Sequence, residues 1–286
     1  MTHADWTTLT AGVRLVATDL DGTLLREDGS VSAYTVDALA RARGAGLPVV
    51  FVTGRPPRWL PMVAEATAHG GVAICANGAV LVDLASGEVR GSHAIPADVV
   101  DEVVAILRAE VPGVGFAAEW LSRDGTGFGH EDAYLPRFPA PGAVLGADVR
   151  ALVAGRDVVK VLARAAPGGH DADSLLDHAA EHVAHLVTVT HSDSGDVLLE
   201  MSAAGVSKGS TLASYAEGLG LSASAVAAAG DMPNDVPMVA WAGVGLAVEA
   251  AHPRVHAVAD AVLPGPHEDG VARFVSAVLD GSSSFL

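Results

Sequence analysis

The sequence predicts an α/β fold in which a second α/β domain is inserted into a doubly wound parallel-sheet core. Short runs rich in Val and Ile alternate with helical stretches rich in Ala and Leu, a pattern typical of parallel strands joined by crossover helices. The pattern is clear near the start of the chain, changes in the middle and returns near the end. A length of 286 residues also exceeds the usual size of one domain. We therefore expect the two ends of the chain to form the core and the middle to form the insertion.

The first part of the chain predicts a βαβαβ unit. Ser32 is a suitable N-cap for the first helix, and Gly44 follows the end of that helix. Asn77-Gly78 breaks the third strand. The predicted strands cover residues 13–18, 47–52 and 72–75, and the predicted helices cover residues 32–43 and 57–69.

The same alternation returns late, with predicted strands over 226–229, 244–248 and 261–263 and predicted helices over 235–242 and 270–279. For the middle we predict helices over 98–110 and 172–184, and strands over 114–118, 158–163, 186–190 and 197–201. We interpret the Gly- and Pro-rich stretch 125–146 as a loop. The predicted domains are therefore a core formed by 1–82 and 192–286 and an inserted domain over 83–191.

Composition and charge exclude several classes of protein. Charged residues, Gly or Pro interrupt every apolar run before it reaches the roughly 20 residues of a membrane span, so no membrane partner is expected. The net charge of −17 argues against nucleic acid, which is bound by clustered Lys and Arg. The N-terminal residues lack the basic start and apolar centre of a secretory signal, and the single Cys75 cannot form an intrachain disulfide. We therefore expect a cytoplasmic protein, and the sequence does not indicate its oligomeric state.

Two carboxylates follow the first predicted strand. Asp19 and Asp21 belong to the run Asp19-Leu20-Asp21-Gly22-Thr23, at the point where the strand should leave the sheet. One carboxylate can act as a nucleophile, while the other protonates a leaving oxygen and later deprotonates a water. Gly22 permits a sharp exit from the strand. By itself the run would also suit a turn or a fragment of a calcium loop, although the further acidic ligands of such a loop are missing.

Three more polar segments follow predicted strands or begin a predicted helix. Thr53-Gly54-Arg55 ends the second strand, where a hydroxyl and backbone amides point off the carboxyl edge of the sheet. Lys208 lies at a helix start, where a cation can meet phosphate oxygens. After a buried strand come Asp231, Asn234 and Asp235, whose oxygen atoms suit Mg²⁺. Taken singly, each segment could be an ordinary strand end, surface lysine or helix cap.

Together, and in this order, the four segments resemble the motifs of the haloacid dehalogenase superfamily of phosphatases. The chain is most similar to the Cof-like branch, in which an α/β cap is inserted into a Rossmann-like core between the Thr and Lys motifs. The runs 75–79, 205–209 and 268–271 also resemble that branch, so the resemblance spans essentially the whole chain. The chain departs from the branch at residues 249–253 and 266–267, which affects the expected outer substrate contacts and not the phosphoryl chemistry.

The resemblance implies a role for each motif. Asp19 is the implied nucleophile and Asp21 the general acid and base. Thr53 and Lys208 are expected to bind the phosphoryl group. The expected substrate site is Thr53, Gly54, Arg55, Asn77 and Lys208. The implied cofactor is Mg²⁺, and the residues expected to hold or support it are Asp19, Asp21 (through its main-chain carbonyl), Asp231, Asn234 and Asp235.

The implied function is that of a Mg²⁺-dependent phosphohydrolase that removes phosphate from a small phosphorylated metabolite, with a sugar phosphate favoured, through an aspartyl-phosphate intermediate. A phosphomutase or phosphotransferase with the same intermediate remains open, as does a non-catalytic phosphosugar-binding regulator. A phospho-receiver domain is much shorter, and Asp21 argues against a hydrolytic dehalogenase. The twelve histidines show no spacing such as His-Glu-x-x-His, so no zinc site is expected. The inserted domain should select the leaving group, and the candidates are Trp120, Arg123, His130, Tyr134, Arg137, Lys160 and His191.

Overall fold

The computed structural model describes residues 6–122, 125–137, 140–166 and 168–283. These residues form two compact units. The core unit contains the described residues within 1–55, 59–90 and 208–286. The inserted unit contains those within 56–58 and 91–207.

The strands in the described part of the chain are β1 (Leu15–Thr18), β2 (Val49–Val52), β3 (Val72–Cys75), β4 (Val80–Asp83), β5 (Val89–Ser92), β6 (Gly115–Ser122), β7 (Gly125–Glu131), β8 (Val144–Gly146), β9 (Asp157–Arg164), β10 (Val187–Thr190), β11 (Leu198–Ala203), β12 (Val226–Gly230), β13 (Val244–Val248) and β14 (Ala261–Leu263). The helices are α1 (Thr7–Thr10), α2 (Ala33–Gly44), α3 (Leu60–Thr67), α4 (Ala97–Glu110), α5 (Val149–Val153), α6 (Ala172–Val183), α7 (Lys208–Gly218), α8 (Val236–Trp241), α9 (Pro253–His256) and α10 (Gly270–Ser283).

The core unit is built on an eight-stranded sheet in the order β14-β13-β12-β1-β2-β3-β4-β5. The strands from β14 to β3 in this order are parallel, and β4 pairs antiparallel with β3. The central strands β1, β2, β12 and β13 are buried along their whole length, which explains their uninterrupted apolar sequences. The predicted α/β core with a parallel sheet is confirmed.

Local sequence signals account for the first helix of this core. The side chain of Ser32 accepts a hydrogen bond from the Thr35 N–H at 3.0 Å, so Ser32 is the N-cap of α2 as predicted. Arg41 and Arg43 lie in the last turn of α2, where positive charge is favourable. The predicted helix over 57–69 is shorter in the structure, because a 3₁₀ turn (Pro57–Trp59) precedes α3.

The inserted unit contains a six-stranded sheet in the order β10-β11-β9-β6-β7-β8. Neighbouring strands are antiparallel except for β7 and β8, which are parallel. Apolar residues of α4 and α6 share one hydrophobic cluster with alternate residues of β6, β9 and β11. Examples on the two helices and the sheet are Val104, Leu107, Leu175, Phe116 and Met201. This second α/β unit agrees with the fold class predicted from the sequence.

The prediction of a loop over 125–146 is wrong, because this stretch contains β7 and β8. Gly127 pairs with Trp120 on β6, and a Cβ atom at Gly127 would lie 2.1 Å from Trp120 Nε1. A Cβ atom at Gly129 would lie 3.1 Å from the same indole ring. These glycines therefore leave room for the indole within a strand, whereas sequence analysis treats glycines as signals of turns.

The limits of the two units also differ from the boundaries that the sequence predicts, at 82/83 and 191/192. Strand β11 pairs with β9 and β10, so it lies in the inserted unit, and the chain returns to the core unit at Lys208. Strand β4 follows the turn at Asn77-Gly78 and extends the core sheet, although the sequence analysis predicts no strand there. None of the helices in the described ranges is both long and apolar enough to cross a membrane.

Candidate active site

The motifs that the sequence analysis selects meet at one edge of the core sheet. Strand β1 lies between β12 and β2. Asp19 follows β1, Thr53 follows β2 and Asp231 follows β12. Because these strands are parallel, all three residues lie at the carboxyl edge of the sheet. Strand order therefore brings together motifs that are far apart in the sequence.

Lys208 joins two of the carboxylates. Its Nζ donates hydrogen bonds to Asp19 Oδ1 at 2.7 Å and to Asp235 Oδ1 at 2.6 Å. All three side chains are buried, and that of Lys208 is 1% exposed. Lys208 begins α7, and Gly209 allows close approach to α8, because a Cβ there would lie 2.4 Å from the carbonyl oxygen of Pro237. The helix start thus places a fixed positive charge beside Asp19.

Hydrogen bonds fix the orientation of the two carboxylates that follow β12. Asp235 Oδ2 accepts hydrogen bonds from the backbone N–H groups of Asp231 at 3.0 Å and Met232 at 2.9 Å. Thr23 Oγ1 donates to Asp231 Oδ1 at 2.8 Å. Thr23 belongs to the motif that follows β1, but it is not among the site residues expected from the sequence. The structure gives Thr23 the role of orienting Asp231.

The arrangement fits a hard divalent cation. One carboxylate oxygen from each of Asp19, Asp231 and Asp235 lies within 4.8 Å of the others. Asn234 Nδ2 donates to Asn77 Oδ1 at 3.0 Å, while Asn234 Oδ1 is buried and has no hydrogen-bond partner among the described residues. Carboxylate and amide oxygens are the ligands that Mg²⁺ prefers. One ammonium cannot neutralise three carboxylates, so a dication would also relieve their repulsion.

Burial and mutual repulsion change the acidity of this cluster. Burial raises the pKa of Asp19 well above its usual range; Lys208 partly offsets this, and the neighbouring carboxylates raise the pKa further. Burial, and then the charge of Asp235, raise the pKa of Asp231 to about 7, while the hydrogen bond from Thr23 acts in the opposite direction. Burial alone would lower the pKa of Lys208, but its two carboxylate partners raise it. Without a bound cation, the pKa of Asp231 therefore lies near neutral pH.

Asp21 has its carboxylate outside this cluster. The Arg55 guanidinium binds it in a bidentate manner, with Nε 2.7 Å from Oδ2 and Nη2 2.5 Å from Oδ1. The Asp21 side chain is 57% exposed and that of Arg55 is 17% exposed. Burial lowers the pKa of Arg55, but the hydrogen bonds and charge of Asp21 raise it overall. The implied general acid is thus paired with a residue expected to bind substrate.

The remaining predicted residues of the core lie beside this pair. Thr53 is buried, and its Oγ1 accepts a hydrogen bond from the Arg55 N–H at 3.0 Å. Gly54 is the residue between them. The loop after β3 returns to the same place, because the Asn77 N–H donates to the Thr53 carbonyl at 3.1 Å. Asn77 has φ +57°, a left-handed conformation that Asn adopts more readily than most residues.

The inserted unit has a set of charged residues of its own, Arg58, Glu119, Lys160 and Glu200, of which all but Arg58 are buried. Lys160 Nζ lies 3.2 Å from Glu200 Oε2, and Arg58 Nη1 donates to Glu119 Oε2 at 2.8 Å. Burial raises the pKa of Glu119, while Arg58 and Lys160 act in the opposite direction. Of these four residues, Lys160 alone is among the candidates expected from the sequence. A visible signal exists, since Glu119, Lys160 and Glu200 each interrupt an apolar strand.

The other candidates of the inserted domain have local contacts. Burial raises the pKa of Tyr134 to about 12, and the guanidinium of Arg164 lies over its ring. Arg137 pairs with Asp193, and His191 Nε2 lies 3.1 Å from Asp173 Oδ1. His130 Nδ1 lies 2.9 Å from the carbonyl oxygen of Glu131, and Trp120 packs over Gly127. Arg123 lies outside the described residues.

The chain is similar to known proteins over most of its length. The sequence profile of the haloacid dehalogenase-like hydrolases, Hydrolase_3, matches residues 16–275. The chain belongs to this family. This haloacid dehalogenase-like hydrolase is 28% identical over 270 residues to the pyridoxal phosphate phosphatase YbhA of Escherichia coli, with 92% of this chain and 97% of that protein covered. It is 28% identical over 266 residues to the 5-amino-6-(5-phospho-D-ribitylamino)uracil phosphatase YitU of Bacillus subtilis, covering 91% and 96%.

Solved structures have the same fold. A haloacid dehalogenase-like hydrolase of B. subtilis matches with a TM-score of 0.76 at 24% identity, covering 92% of this chain and 99% of that one. A HAD phosphatase of Bacteroides thetaiotaomicron matches with a TM-score of 0.73 at 23% identity, covering 93% and 95%. With the family match, these similarities identify an enzyme of the HAD phosphatase type, a phosphoric monoester hydrolase of the Cof-like branch.

Replacing Gly22 with Ala is expected to disturb the acidic cluster more than it disturbs the fold. Gly22 has φ +77°, and a Cβ there would lie 2.4 Å from Asp231 Oδ2, so the carboxylate must shift. Gly29→Ala is the matched control, because Gly29 has φ +79° and nothing within 4 Å of the added Cβ. Both variants should lose about 1 kcal/mol of stability through the left-handed backbone. Only Gly22→Ala should raise the Mg²⁺ concentration needed for half-maximal phosphate release, and equal effects would contradict this account.

Proposed function

We propose that the protein is a Mg²⁺-dependent phosphohydrolase that releases phosphate from small phosphorylated metabolites, with sugar phosphates as the favoured class, through a phosphorylated Asp19. The observation that carries the proposal is the buried Lys208, whose ammonium binds Asp19 at 2.7 Å and Asp235 at 2.6 Å at the end of β1. A nucleophilic carboxylate beside a fixed cation and an oxygen-rich site is what phosphoryl transfer to a carboxylate requires.

The proposed reaction divides the work among residues of the core unit. Asp19 attacks the phosphorus atom, while Lys208 and the Thr53 hydroxyl hold phosphoryl oxygens. Asp21 donates a proton to the leaving oxygen, and it then takes a proton from the water that hydrolyses the phosphoryl group on Asp19. Mg²⁺ held by Asp19, Asp231 and their neighbours would offset the charge of the substrate phosphate.

Arg55 has a defined place in this scheme. While it binds both oxygens of Asp21, neither oxygen of that carboxylate is available to the leaving group. We propose that the Arg55 guanidinium leaves Asp21 when substrate binds, and that it then binds the phosphoryl group or another anionic group of the substrate. The Asp21 carboxyl is then available to the leaving oxygen and can act as the acid. Arg55 thus couples the arrival of an anion to the availability of the general acid.

The names of the relatives support the substrate class. The compared proteins include phosphatases for pyridoxal phosphate and for a phosphorylated ribitylamino uracil, and a neighbour in fold is called a sugar phosphatase. The substrates in these names are small phosphorylated compounds. We propose that the inserted unit selects the leaving group among such compounds. We also propose a cytoplasmic setting, since one cysteine cannot form an intrachain disulfide.

The test is phosphate release from a panel of sugar, polyol, nucleotide and cofactor phosphates in the presence of Mg²⁺. Release should vanish with EDTA and with Asp19→Asn, and the panel then ranks the substrates. Formation of isomeric phosphates without free phosphate would favour the mutase alternative. Binding of these compounds without any reaction, while Mg²⁺ is bound, would favour the regulator alternative.

The raised pKa of Asp231 predicts how stability depends on pH when Mg²⁺ is removed. The folded-state pKa is about 7, and an unfolded Asp has a value of about 4, so between these values the folded state binds the additional proton. The contribution of Asp231 is therefore favourable at low pH and is lost as pH rises through about 7. In EDTA, the melting temperature of the parent minus that of Asp231→Asn should decrease as the pH rises from 5 to 8. A difference that grows in favour of the parent as pH rises would contradict the assignment.

A further inference from the structure

A group of histidines lies on the surface of the inserted unit. His178 and His182 are four residues apart on α6, so they are neighbours on one side of the helix. Glu110 is the last residue of α4, which packs beside α6 through their shared apolar cluster. His170 lies just before the N-cap of α6. The two histidines have the same spacing as those of His-Glu-x-x-His, but the glutamate of the run 178–182 precedes the second histidine instead of following the first. The expectation of no zinc site, which rests on that motif, therefore does not cover this group.

The side chains of this group converge. His182 Nε2 lies 3.6 Å from Glu110 Oε2, and His178 Nε2 lies 3.4 Å from the Glu110 carbonyl oxygen. The rings of His178 and His182 have centroids 5.0 Å apart, and the ring of His170 stacks on His178 at 5.5 Å. One ligand atom from each of Glu110, His178 and His182 lies within 4.8 Å of the others.

Neither packing nor an ion pair accounts for this convergence. The apolar side of α6, which packs in the hydrophobic cluster of the inserted unit, is formed by Leu175, Leu176, Ala179 and Val183. The two histidines are only partly buried. The side chains of His182 and Glu110 are 35% and 41% exposed, and an ion pair at such exposure contributes at most about 1 kcal/mol. An ion pair between His182 and Glu110 also does not explain why the His178 ring lies beside them.

We propose that Glu110, His178 and His182 bind a Zn²⁺ ion, with His170 or water as the fourth ligand. Two imidazoles and a carboxylate are a ligand set for zinc and neighbouring transition metals, whereas Mg²⁺ prefers oxygen alone. Tetrahedral bonds of about 2.1 Å bring ligand atoms to about 3.4 Å from one another. The Glu110 and His182 side chains are already near that separation. A rotation of the His178 ring would bring one of its nitrogen atoms into position as the third ligand.

The bound ion would connect the end of α4 to the middle of α6. Because the ligands belong to two helices that pack in one unit, the folded inserted unit binds the ion better than the unfolded chain does. Binding therefore stabilises the fold by mass action. The site is chemically distinct from the oxygen ligands of the core unit, and it does not depend on the proposed phosphatase function.

The test uses the full chain without a histidine tag, stripped of metal and kept in excess Mg²⁺, which occupies the carboxylate site of the core. Zn²⁺ is titrated by calorimetry, and Co²⁺ is used as a probe, because tetrahedral nitrogen and oxygen coordination gives intense visible absorption. We expect one equivalent of Zn²⁺, a Zn²⁺-dependent rise in melting temperature, and a loss of affinity on the order of a hundredfold in His178→Ala and in His182→Ala. Glu110→Gln, which keeps the size of the side chain, should weaken binding by about tenfold.

The matched control is His185→Ala, which removes an exposed histidine just beyond α6 and outside the cluster. It should bind Zn²⁺ as the parent does. The melting temperatures of all variants in EDTA show whether each remains folded. The proposal is overturned if His178→Ala/His182→Ala, while folded, binds as much Zn²⁺ as the parent, if His185→Ala loses as much affinity as the cluster variants, or if the parent binds no Zn²⁺.

Discussion

Asp19→Asn is expected to reduce phosphate release by on the order of 10⁴-fold or more for every substrate, because an amide cannot accept the phosphoryl group as a carboxylate does. In the proposed scheme the loss should appear in kcat, since Lys208 and Thr53 would still hold the phosphate. The variant should also be at least as stable as the parent in EDTA. Asp19 is buried beside Asp231 and Asp235, and removing its charge relieves repulsion in that cluster.

The control for this variant is Asp37→Asn, which removes a carboxylate on the exposed side of α2. Its activity should match that of the parent, and its stability should change by only a few tenths of a kcal/mol through the lost ion pair with Arg41. Retention of substantial activity by Asp19→Asn, in a preparation shown by mass to be free of deamidated protein, would assign the nucleophile to another residue.

Lys208→Met is expected to have the second largest effect. It should reduce kcat/KM by on the order of 10²-fold to 10³-fold, because the phosphoryl group loses a fixed positive charge. It should also destabilise the metal-free protein by on the order of 3 kcal/mol, because it leaves buried carboxylates without their cation. Mg²⁺ should restore part of that stability. A second change, Asp235→Asn, should recover stability but not activity.

Lys160→Met is the matched comparison, because Lys160 and Lys208 are the only lysines in the sequence and both are buried beside carboxylates. It should also destabilise the protein, since Glu200 would lose the ammonium group beside it. With p-nitrophenyl phosphate, whose leaving group is small and needs no selection, Lys160→Met should retain most of its activity. Equal loss of activity in the two lysine variants would show that burial, rather than the position of Lys208 beside Asp19, explains its effect.

Much of the core could be predicted from the sequence, because parallel buried strands are short continuous apolar runs and the site motifs follow them directly. Strand β13 and β14 have the predicted limits, and Ser32 caps α2 as predicted. Asp19, Asp231, Asp235 and Lys208 meet because each lies at a strand end or a helix start on one edge of the sheet. Such placement follows from local sequence and strand order alone.

The features that could not be predicted depend on contacts between distant segments. The glycines of β7 have the signature of a turn until Trp120 is placed across from Gly127. The pairing of Arg55 with Asp21 joins two strand ends, and neither motif contains a sequence signal that indicates it. The convergence of Glu110 with His178 and His182 requires α4 and α6 to pack side by side. In each case the missing information is the identity of the neighbour, which no local pattern contains.

The most direct test of the central claim is to find the phosphoryl group on the protein. Asp21→Asn should slow hydrolysis of the intermediate, while p-nitrophenyl phosphate needs little acid assistance to lose its leaving group. After acid quenching and digestion, mass spectrometry should find a phosphoryl group on the peptide that contains Asp19, close to one per protein, and none in Asp19→Asn/Asp21→Asn. A phosphoryl group on a different residue, or turnover by Asp21→Asn with Asp19 unmodified at every quench time, would contradict the account.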